Sequence, residues 1–158
     1  MTPEKPELEF FTTIEANLLP GIIYGETPVG MRMVVPITGG KFTGPEFSGE
    51  ILQTGSDWNH YRPKDHGLHI WARYDLRTSD GVLISVINEG VGHVSPDVPM
   101  KVVAAEPIGD GVWNVRTWPR FEAPIDSRYG WLNRTAFVAV IPYPEKPGVA
   151  TIHVFRVK

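Results

Sequence analysis

The sequence predicts an all-β protein, a single antiparallel β-barrel of about eight to ten strands with little helix. Glycine (16) and proline (15) are spread along all 158 residues. They separate short runs of Val, Ile, Thr and aromatic residues, as in strands joined by turns. No crossover helices are indicated between these runs, so neighbouring strands are expected to be antiparallel. A sheet of this size closes into a barrel or folds into a sandwich to bury one face and remove its edges, and we expect a closed or nearly closed barrel. We therefore expect one domain over residues 1–158.

The clearest predicted element is a β-hairpin at residues 68–88. Its first strand alternates between apolar and polar residues with the period of two that strands show. The apolar face carries Leu68, Ile70, Ala72, Tyr74 and Leu76. The segment Ser79-Asp80-Gly81 follows, and Asp-Gly is a tight-turn pair. The chain is therefore expected to return as a second strand over residues 82–88.

The remaining elements follow from shorter versions of the same pattern. Further strands are predicted near residues 8–16, 30–38, 44–54, 102–107, 112–118, 135–141 and 150–157. The only helix candidate, residues 13–19, is cut short by Pro20-Gly21. Residues 151–157 alternate well and are expected to pair with the first strand, which would complete the barrel. The loop-like stretch 91–99 is predicted to cover one barrel end.

Composition and charge narrow the possible functions. The formal net charge of −3 gives no overall attraction to nucleic acid or to anionic membranes. The chain has no cysteine, which excludes disulfides, thiolate nucleophiles and cysteine-ligated metals. No apolar run approaches the roughly 18 residues of a membrane span, and the first residues do not resemble a secretory signal. We therefore expect a cytoplasmic protein with no nucleic-acid or membrane partner.

Familiar cofactor and metal motifs are also missing from the sequence. It has neither the glycine-rich loop of dinucleotide-binding proteins nor a phosphate loop. It lacks Gly-x-Ser-x-Gly, the nucleophile motif of many hydrolases. Five histidines are present, but none forms a helical pair of the His-Glu-x-x-His type. We expect no cofactor and no metal.

Two segments, residues 55–60 and residues 128–138, place aromatic and polar side chains next to each other. A small-molecule pocket requires an apolar wall with a few fixed hydrogen-bonding groups. The residues predicted to bind such a ligand are Trp58, Arg116, Tyr129, Trp131 and Asn133. The alternative is that the tyrosine and tryptophans seal one end of the barrel core.

Asp57 is the main candidate for a general base. Its carboxylate is expected to be partly desolvated beside Trp58, and desolvation raises the pKa of a carboxylate towards a useful range. His60 is close in sequence and Glu89 follows a predicted strand, so either residue is a candidate proton relay. The alternative is that Asp57 only caps a turn and that Glu89 is simply solvated.

Arginines in or beside predicted strands indicate a possible anion site. An arginine inside a barrel is costly unless it meets an anion, so Arg73, Arg116 or Arg134 is expected to bind a carboxylate, phenolate or enolate. The alternative is that these arginines pair with glutamates on the outer surface. Arg73 separates the two interpretations. It points outward if the aliphatic face of residues 68–76 is the core, and towards a ligand if the polar face lines a cavity.

Five segments occur in a recognisable order along the chain. They are Gly55-Ser56-Asp57-Trp58, Ala72-Arg73-Tyr74, Ser79-Asp80-Gly81, Arg116-Thr117-Trp118-Pro119-Arg120-Phe121-Glu122 and Trp131-Leu132-Asn133-Arg134-Thr135-Ala136-Phe137-Val138. With these segments the chain resembles a family of small bacterial β-barrel proteins catalogued as a domain of unknown function. The resemblance implies a single antiparallel barrel and a homodimer, and it implies little about chemistry.

One departure from that family concerns the position before Ala72-Arg73-Tyr74. Members that align here typically carry an acidic residue shortly before this segment, where this chain has Trp71. The resemblance therefore implies that Arg73 needs another partner here and that the site suits a more aromatic ligand.

The leading hypothesis is a cofactor-independent lyase or isomerase that acts on a small aromatic or polyketide-like molecule by general acid–base chemistry. Asp57 would take the proton, with Glu89 or His60 as its relay. Arg73 or Arg116 would stabilise negative charge on oxygen. The alternatives are a barrel that binds a hydrophobic ligand without chemistry, and a structural dimer module whose aromatic and arginine residues make subunit contacts.

Overall fold

The computed structural model describes all residues from Met1 to Lys158 and confirms the predicted fold class. Eight antiparallel strands close into a barrel, and two further strands extend it. The strands are β1 (Leu8–Leu18), β2 (Ile22–Thr27), β3 (Gly30–Thr43), β4 (Gly49–Ile51), β5 (Gly55–Arg62), β6 (Gly67–Thr78), β7 (Leu83–Val94), β8 (Trp113–Glu122), β9 (Phe137–Ile141) and β10 (Val149–Val157). One α-helix, α1 (Val98–Ala104), and one 3₁₀ helix, Gly130–Arg134, complete the chain. No helix has the length and apolar character that crossing a membrane requires.

Strand β1 closes the barrel by pairing on both of its edges. One edge pairs with β10, as predicted for the last strand, and the other pairs with β3. At the β1–β3 seam Gly40 lies against Glu15, and a Cβ atom at Gly40 would fall 2.0 Å from the Glu15 carbonyl oxygen. Only glycine permits this approach, and its φ of +129° is also one that glycine adopts readily. The seam therefore depends on a residue without a side chain.

The predicted hairpin at residues 68–88 is confirmed and is longer than expected. Strands β6 and β7 pair from Gly67–His93 to Arg77–Leu83. The turn between them is held by the Thr78 hydroxyl, which donates to Asp80 Oδ1 over 2.7 Å, and by Gly81 at a φ of +90°. This hairpin forms one wall of the barrel.

The helix candidate does not form, and one predicted strand is wrong. Residues 13–19 do not form a helix, because both edges of β1 are needed for closure and Ile14 and Ala16 alternate inward as in a strand. Residues 102–107 do not form a strand. Pro99 lies in the first turn of α1, where proline favours a helix, and Ala105 ends the helix in the left-handed conformation.

Two strand boundaries also differ from the sequence-based expectation. Within residues 44–54 only β4 (Gly49–Ile51) is strand, and β5 begins at Gly55, after the predicted end. Strand β2 was not predicted. Its residues are largely exposed, and it pairs only with β3 outside the closed ring. A strand that packs few side chains leaves little alternation to detect.

The closed end of the barrel is filled with aromatic side chains. Phe11 stacks on Phe47 with ring centroids 4.8 Å apart, and Phe47 also packs against Phe42 at 4.6 Å. Phe121 and Phe137 pack edge to face at 4.9 Å beside them. All five side chains are buried. This aromatic cluster fills the barrel interior at this end.

The opposite end is covered by α1 and by residues 142–149. Val98 and Val103 of α1 are buried, and the backbone N–H of Gly21 donates to the Val103 carbonyl oxygen over 2.7 Å. Residues 91–99 were expected to cover this end, but they do so only in part. Strand β7 continues to Val94, so only the residues after Val94 leave the sheet. The cover of this end is therefore mainly α1.

Replacing a ring in the aromatic cluster should destabilise the barrel. We expect Phe47→Ala to lower the free energy of unfolding by about 3–5 kcal/mol, because it leaves a cavity among packed rings. Urea denaturation measures this loss. The matched control is Phe10→Ala, since Phe10 is 44% exposed on the outer surface and should cost about 1 kcal/mol or less. Equal losses in both variants would contradict the assignment of the closed end.

Candidate functional site

The barrel encloses a mostly apolar cavity between the aromatic cluster and α1. Its volume is about 110 Å³, and 17 of the 28 residues that line it are hydrophobic. A single water needs roughly 10–15 Å³ measured in this way, so there is room for a small organic molecule. The polar side chains that line the interior are Asp57, Asn59, Tyr74 and Asn88. Two exposed charged residues, Glu106 and Lys146, lie at the rim.

Strand alternation explains why these polar side chains face inward. In β5, Asp57 and Asn59 line the cavity while Trp58 between them is exposed outside. Asp57 pairs with Ala72 of β6, and Ala72 pairs with Asn88 of β7. The carboxyl and the amide are thus two strands apart in one row, with the small side chain of Ala72 between them. This spacing leaves the cavity open above Ala72.

The Asp57 carboxyl takes the place of a backbone partner in the sheet. The paired register of β5 and β6 runs from Asp57–Ala72 directly to His60–His69, so two pairs of the ladder are missing between them. At this interruption the backbone N–H of Trp71 donates to Asp57 Oδ1 over 3.2 Å. The Asn59 amide donates to Asp57 Oδ2 over 3.0 Å. Both carboxyl oxygens are therefore held in a fixed orientation.

Burial raises the pKa of Asp57 to about 6. The hydrogen bonds from Asn59 and Trp71 favour the ionised form and lower the pKa, but they offset only part of the desolvation. The remaining exposure of the side chain is towards the cavity, whose walls are largely apolar. Asp57 can therefore accept and return a proton near neutral pH, which a general acid–base group must do.

Three further polar groups of the interior have no hydrogen-bond partner within the chain. They are the Tyr74 hydroxyl, Asn88 Oδ1 and Asn59 Oδ1. Tyr74 and Asn88 are each only 1% exposed. The pKa of Tyr74 is raised by burial and by the nearby charge of Asp57, so its phenol stays protonated. Buried polar groups are nearly always paired, so this set is suited to a bound molecule.

The other predicted catalytic residues lie on the outer face of the barrel. Glu89, His60 and Arg73 all occupy the outward positions of their strands. Glu89 binds His69 Nε2 through Oε1 over 3.1 Å, and the His60 ring stacks on His69 at 4.8 Å. Burial and the neighbouring His69 lower the pKa of His60. The sheet separates these groups from the cavity, so the structure does not bring them together with Asp57.

The arginines predicted to bind an anion do not enter the cavity either. Arg73, Arg116 and Arg134 are all exposed. For Arg73 the structure selects the outward orientation, because the aliphatic face of β6 is the packed interior. An unpaired cation would be strongly unfavourable among these apolar walls.

The predicted ligand-binding aromatics are also outside the cavity. Trp58 is 38% exposed on the outer face. Tyr129 and Trp131 pack against Phe47 and Phe11 at the closed end, which agrees with the alternative that they seal the core. Asn133 binds the backbone of Ala123 through both ends of its amide. Trp131 and Asn133 lie in the 3₁₀ helix Gly130–Arg134, which precedes β9.

Sequence analysis missed three residues that do line the cavity, Asn59, Tyr74 and Asn88. Alternation places Tyr74 on the apolar face of β6, and this pattern carries no sign that its hydroxyl needs a partner. The two asparagines carry a detectable signal, because each falls at an inward position of a strand where an apolar residue is expected. A polar side chain in the buried phase of a strand needs a partner.

The fold and the site together define a closed antiparallel β-barrel that encloses a mostly apolar cavity with a buried carboxyl group. The family described as "Protein of unknown function (DUF3237)" matches residues 6–157. The chain belongs to this family, which confirms the resemblance to a β-barrel family of unknown function.

Relatives share the barrel over most of its length. The UPF0311 protein of Bradyrhizobium diazoefficiens is 32% identical over 139 residues, covering 88% of this chain and 89% of that protein. The crystal structure of a conserved protein of unknown function from Rhodopseudomonas palustris has a TM-score of 0.82 at 30% identity, covering 99% and 100% of the two chains. The hydroalkoxylation enzyme of Penicillium herquei is 31% identical over 84 residues, covering 53% of this chain and 55% of that enzyme.

The raised pKa of Asp57 should make stability depend on pH. Because the folded state holds this proton more tightly than the unfolded state, its contribution to stability is present at low pH and is lost as the pH rises through about 6. The free energy of unfolding of the wild type should fall by about 2–3 kcal/mol relative to Asp57→Asn between roughly pH 4 and 7. Urea denaturation across this range measures the difference.

The control for this experiment is Asp75→Asn, the same substitution in the neighbouring strand. Asp75 lies at an outward position of β6 and accepts a hydrogen bond from Thr54. A wild type and an Asp57→Asn variant whose stabilities change in parallel with pH would show that Asp57 is not desolvated.

Proposed function

We propose that the cavity is the active site of a cofactor-independent lyase or isomerase, which acts on a small aromatic or polyketide-like molecule by proton transfer at Asp57. The observation that carries this proposal is a carboxyl group in an apolar cavity with a pKa of about 6. A group with that pKa is populated in both protonation states near neutral pH, so it can act as base and then as acid. The apolar walls exclude water and strengthen each electrostatic contact with the substrate.

The proposed step adds a hydroxyl group of the substrate across a carbon–carbon double bond that is conjugated with a carbonyl group. The Asp57 carboxylate removes the hydroxyl proton, and the oxygen forms a bond to the β-carbon. The electron pair of the carbon–carbon double bond forms a new double bond between the α-carbon and the carbonyl carbon, and the electron pair of the carbonyl double bond moves to the oxygen, which gives an enolate. The protonated Asp57 then returns the proton to the α-carbon. Atoms and electrons balance within one substrate, so the step needs no oxidant or reductant.

The name of one relative supports this reaction class. The Penicillium herquei protein is a hydroalkoxylation enzyme, and hydroalkoxylation is the addition of a hydroxyl group across a carbon–carbon double bond. The reverse reaction is an elimination, as a lyase performs, and the intramolecular reaction is an isomerisation. Both need a positioned acid–base group, a role that Asp57 is placed to fill.

The proposal is tested with the ketone that joins an ortho-hydroxyphenyl ring to a propenyl group. This probe cyclises to a methylchromanone by the proposed step, and the product is chiral. We expect the wild type to accelerate cyclisation and to enrich one enantiomer. Asp57→Asn should reduce the enzymatic rate by about 100-fold or more, because it removes the group that carries the proton. Chiral chromatography measures the rate and the enantiomeric excess together.

Asp75→Asn serves again as the matched control and should keep the wild-type rate. A racemic product at the rate seen in buffer would contradict the proposal, and so would full activity of Asp57→Asn. A wild type that binds the probe without accelerating cyclisation would favour the alternative, a barrel that carries a ligand without chemistry.

A further inference from the structure

Asp57, Tyr74 and Asn88 form a polar part of the cavity wall, which we call the floor. Tyr74 and Asn88 can offer hydrogen-bond donors near the Asp57 carboxyl. Tyr74 lies two residues beyond Ala72 on β6, and this places it diagonally across from both Asp57 and Asn88. Diagonal neighbours are within reach of aromatic side chains. The Tyr74 hydroxyl is unpartnered, and no hydrogen bond within the chain uses the Asn88 amide group as donor. Both residues line the cavity, so a phenol hydroxyl and an amide group can each offer a donor to a bound molecule.

The charges around the cavity argue against an anionic ligand. Of the residues that line it, Asp57 and Glu106 are acidic and Lys146 is the single cation. Lys146 is exposed at the rim, so it cannot neutralise a charge at the floor. An anion beside Asp57 would be desolvated and repelled at once. The interior therefore suits a neutral molecule.

We propose that the cavity selects neutral, hydroxylated aromatic ketones, with Tyr74 and Asn88 donating hydrogen bonds to the carbonyl oxygen and Asp57 facing the hydroxyl group. The aliphatic side chains of Ile70, Val35 and Ile37 enclose the ring. The carbonyl oxygen is the atom that gains negative charge when an enolate forms, so the same donors would stabilise that charge. This inference rests on the proposed function for its role in catalysis, but the ligand preference can be measured without turnover.

Three probes of nearly equal size test the preference. They are ortho-hydroxyacetophenone, ortho-ethylphenol and salicylate. The first carries a ring, a hydroxyl group and a carbonyl group. The second replaces the carbonyl group by methylene, and the third replaces the acetyl group by a carboxylate. Isothermal titration calorimetry on the full chain near neutral pH gives the dissociation constants.

We expect the ketone to bind about tenfold or more tightly than the ethylphenol, because the ethylphenol leaves buried donors unpaired. Salicylate should bind at least about tenfold more weakly than the ketone, because its charge has no partner at the floor. Tyr74→Phe and Asn88→Leu should each reduce the advantage of the ketone over the ethylphenol. Tyr129→Phe, which removes a phenol hydroxyl that binds Asp80 at the closed end, is the matched control and should preserve the advantage.

Equal binding of the ketone and the ethylphenol would overturn the inference. Tighter binding of salicylate would overturn it too, as would failure of the ketone to bind at millimolar concentration. The wild-type comparison of probes stands even if one variant fails to fold. Selective binding of the ketone with a racemic cyclisation product would leave the ligand class intact and contradict only the catalytic proposal. An enantiomerically enriched product without preference among the probes would contradict only the ligand class.

Discussion

The carboxyl group of Asp57 replaces a backbone partner between β5 and β6 and at the same time faces the interior of the barrel. The site depends on this double role. The Trp71 N–H and the Asn59 amide fix the carboxyl, and the apolar walls desolvate it. Hydrogen bonds alone would lower its pKa, but desolvation is the larger effect and raises it. The result is a rigidly held group that is poised to exchange a proton.

The rest of the barrel supports that position. The aromatic cluster around Phe47 fills the interior at one end, and the cavity lies towards the end that α1 covers. Pairing of β1 with both β10 and β3 completes the wall. Because every strand of the ring is paired on both edges, the inward and outward faces are set by strand alternation alone. One residue of slippage in β5 would turn Asp57 outward.

Much of this architecture could be predicted from the sequence, because it follows from local patterns. The turn residues Asp80-Gly81 and the alternation of residues 68–76 predict the hairpin of β6 and β7, which the structure confirms. Asp57 was singled out for expected desolvation, and the structure does bury its carboxyl. The strand predicted at residues 102–107 is wrong because the pair Val102-Val103 favours a strand, whereas Pro99 and tertiary packing produce α1.

The composition of the site could be predicted only in part. Residues such as Glu89 and Arg73 are near Asp57 along neighbouring strands but on the other side of the sheet, and sequence alone does not say which side of a strand encloses the cavity. Tyr74 shows the converse difficulty. Its ring fits the apolar face of β6, and only the folded barrel reveals that its hydroxyl is buried without a partner and that the charge of Asp57 raises its pKa.

The state of the Asp57 carboxyl is the claim on which the proposed function rests, and it can be observed directly. The carbon-13 chemical shift of the Asp57 carboxyl, followed by nuclear magnetic resonance across a pH titration, reports its protonation in the folded protein. The account predicts a midpoint of about 6. A midpoint near 4, as for a carboxyl group in water, would mean that Asp57 is solvated and that the cavity does not prepare it for proton transfer.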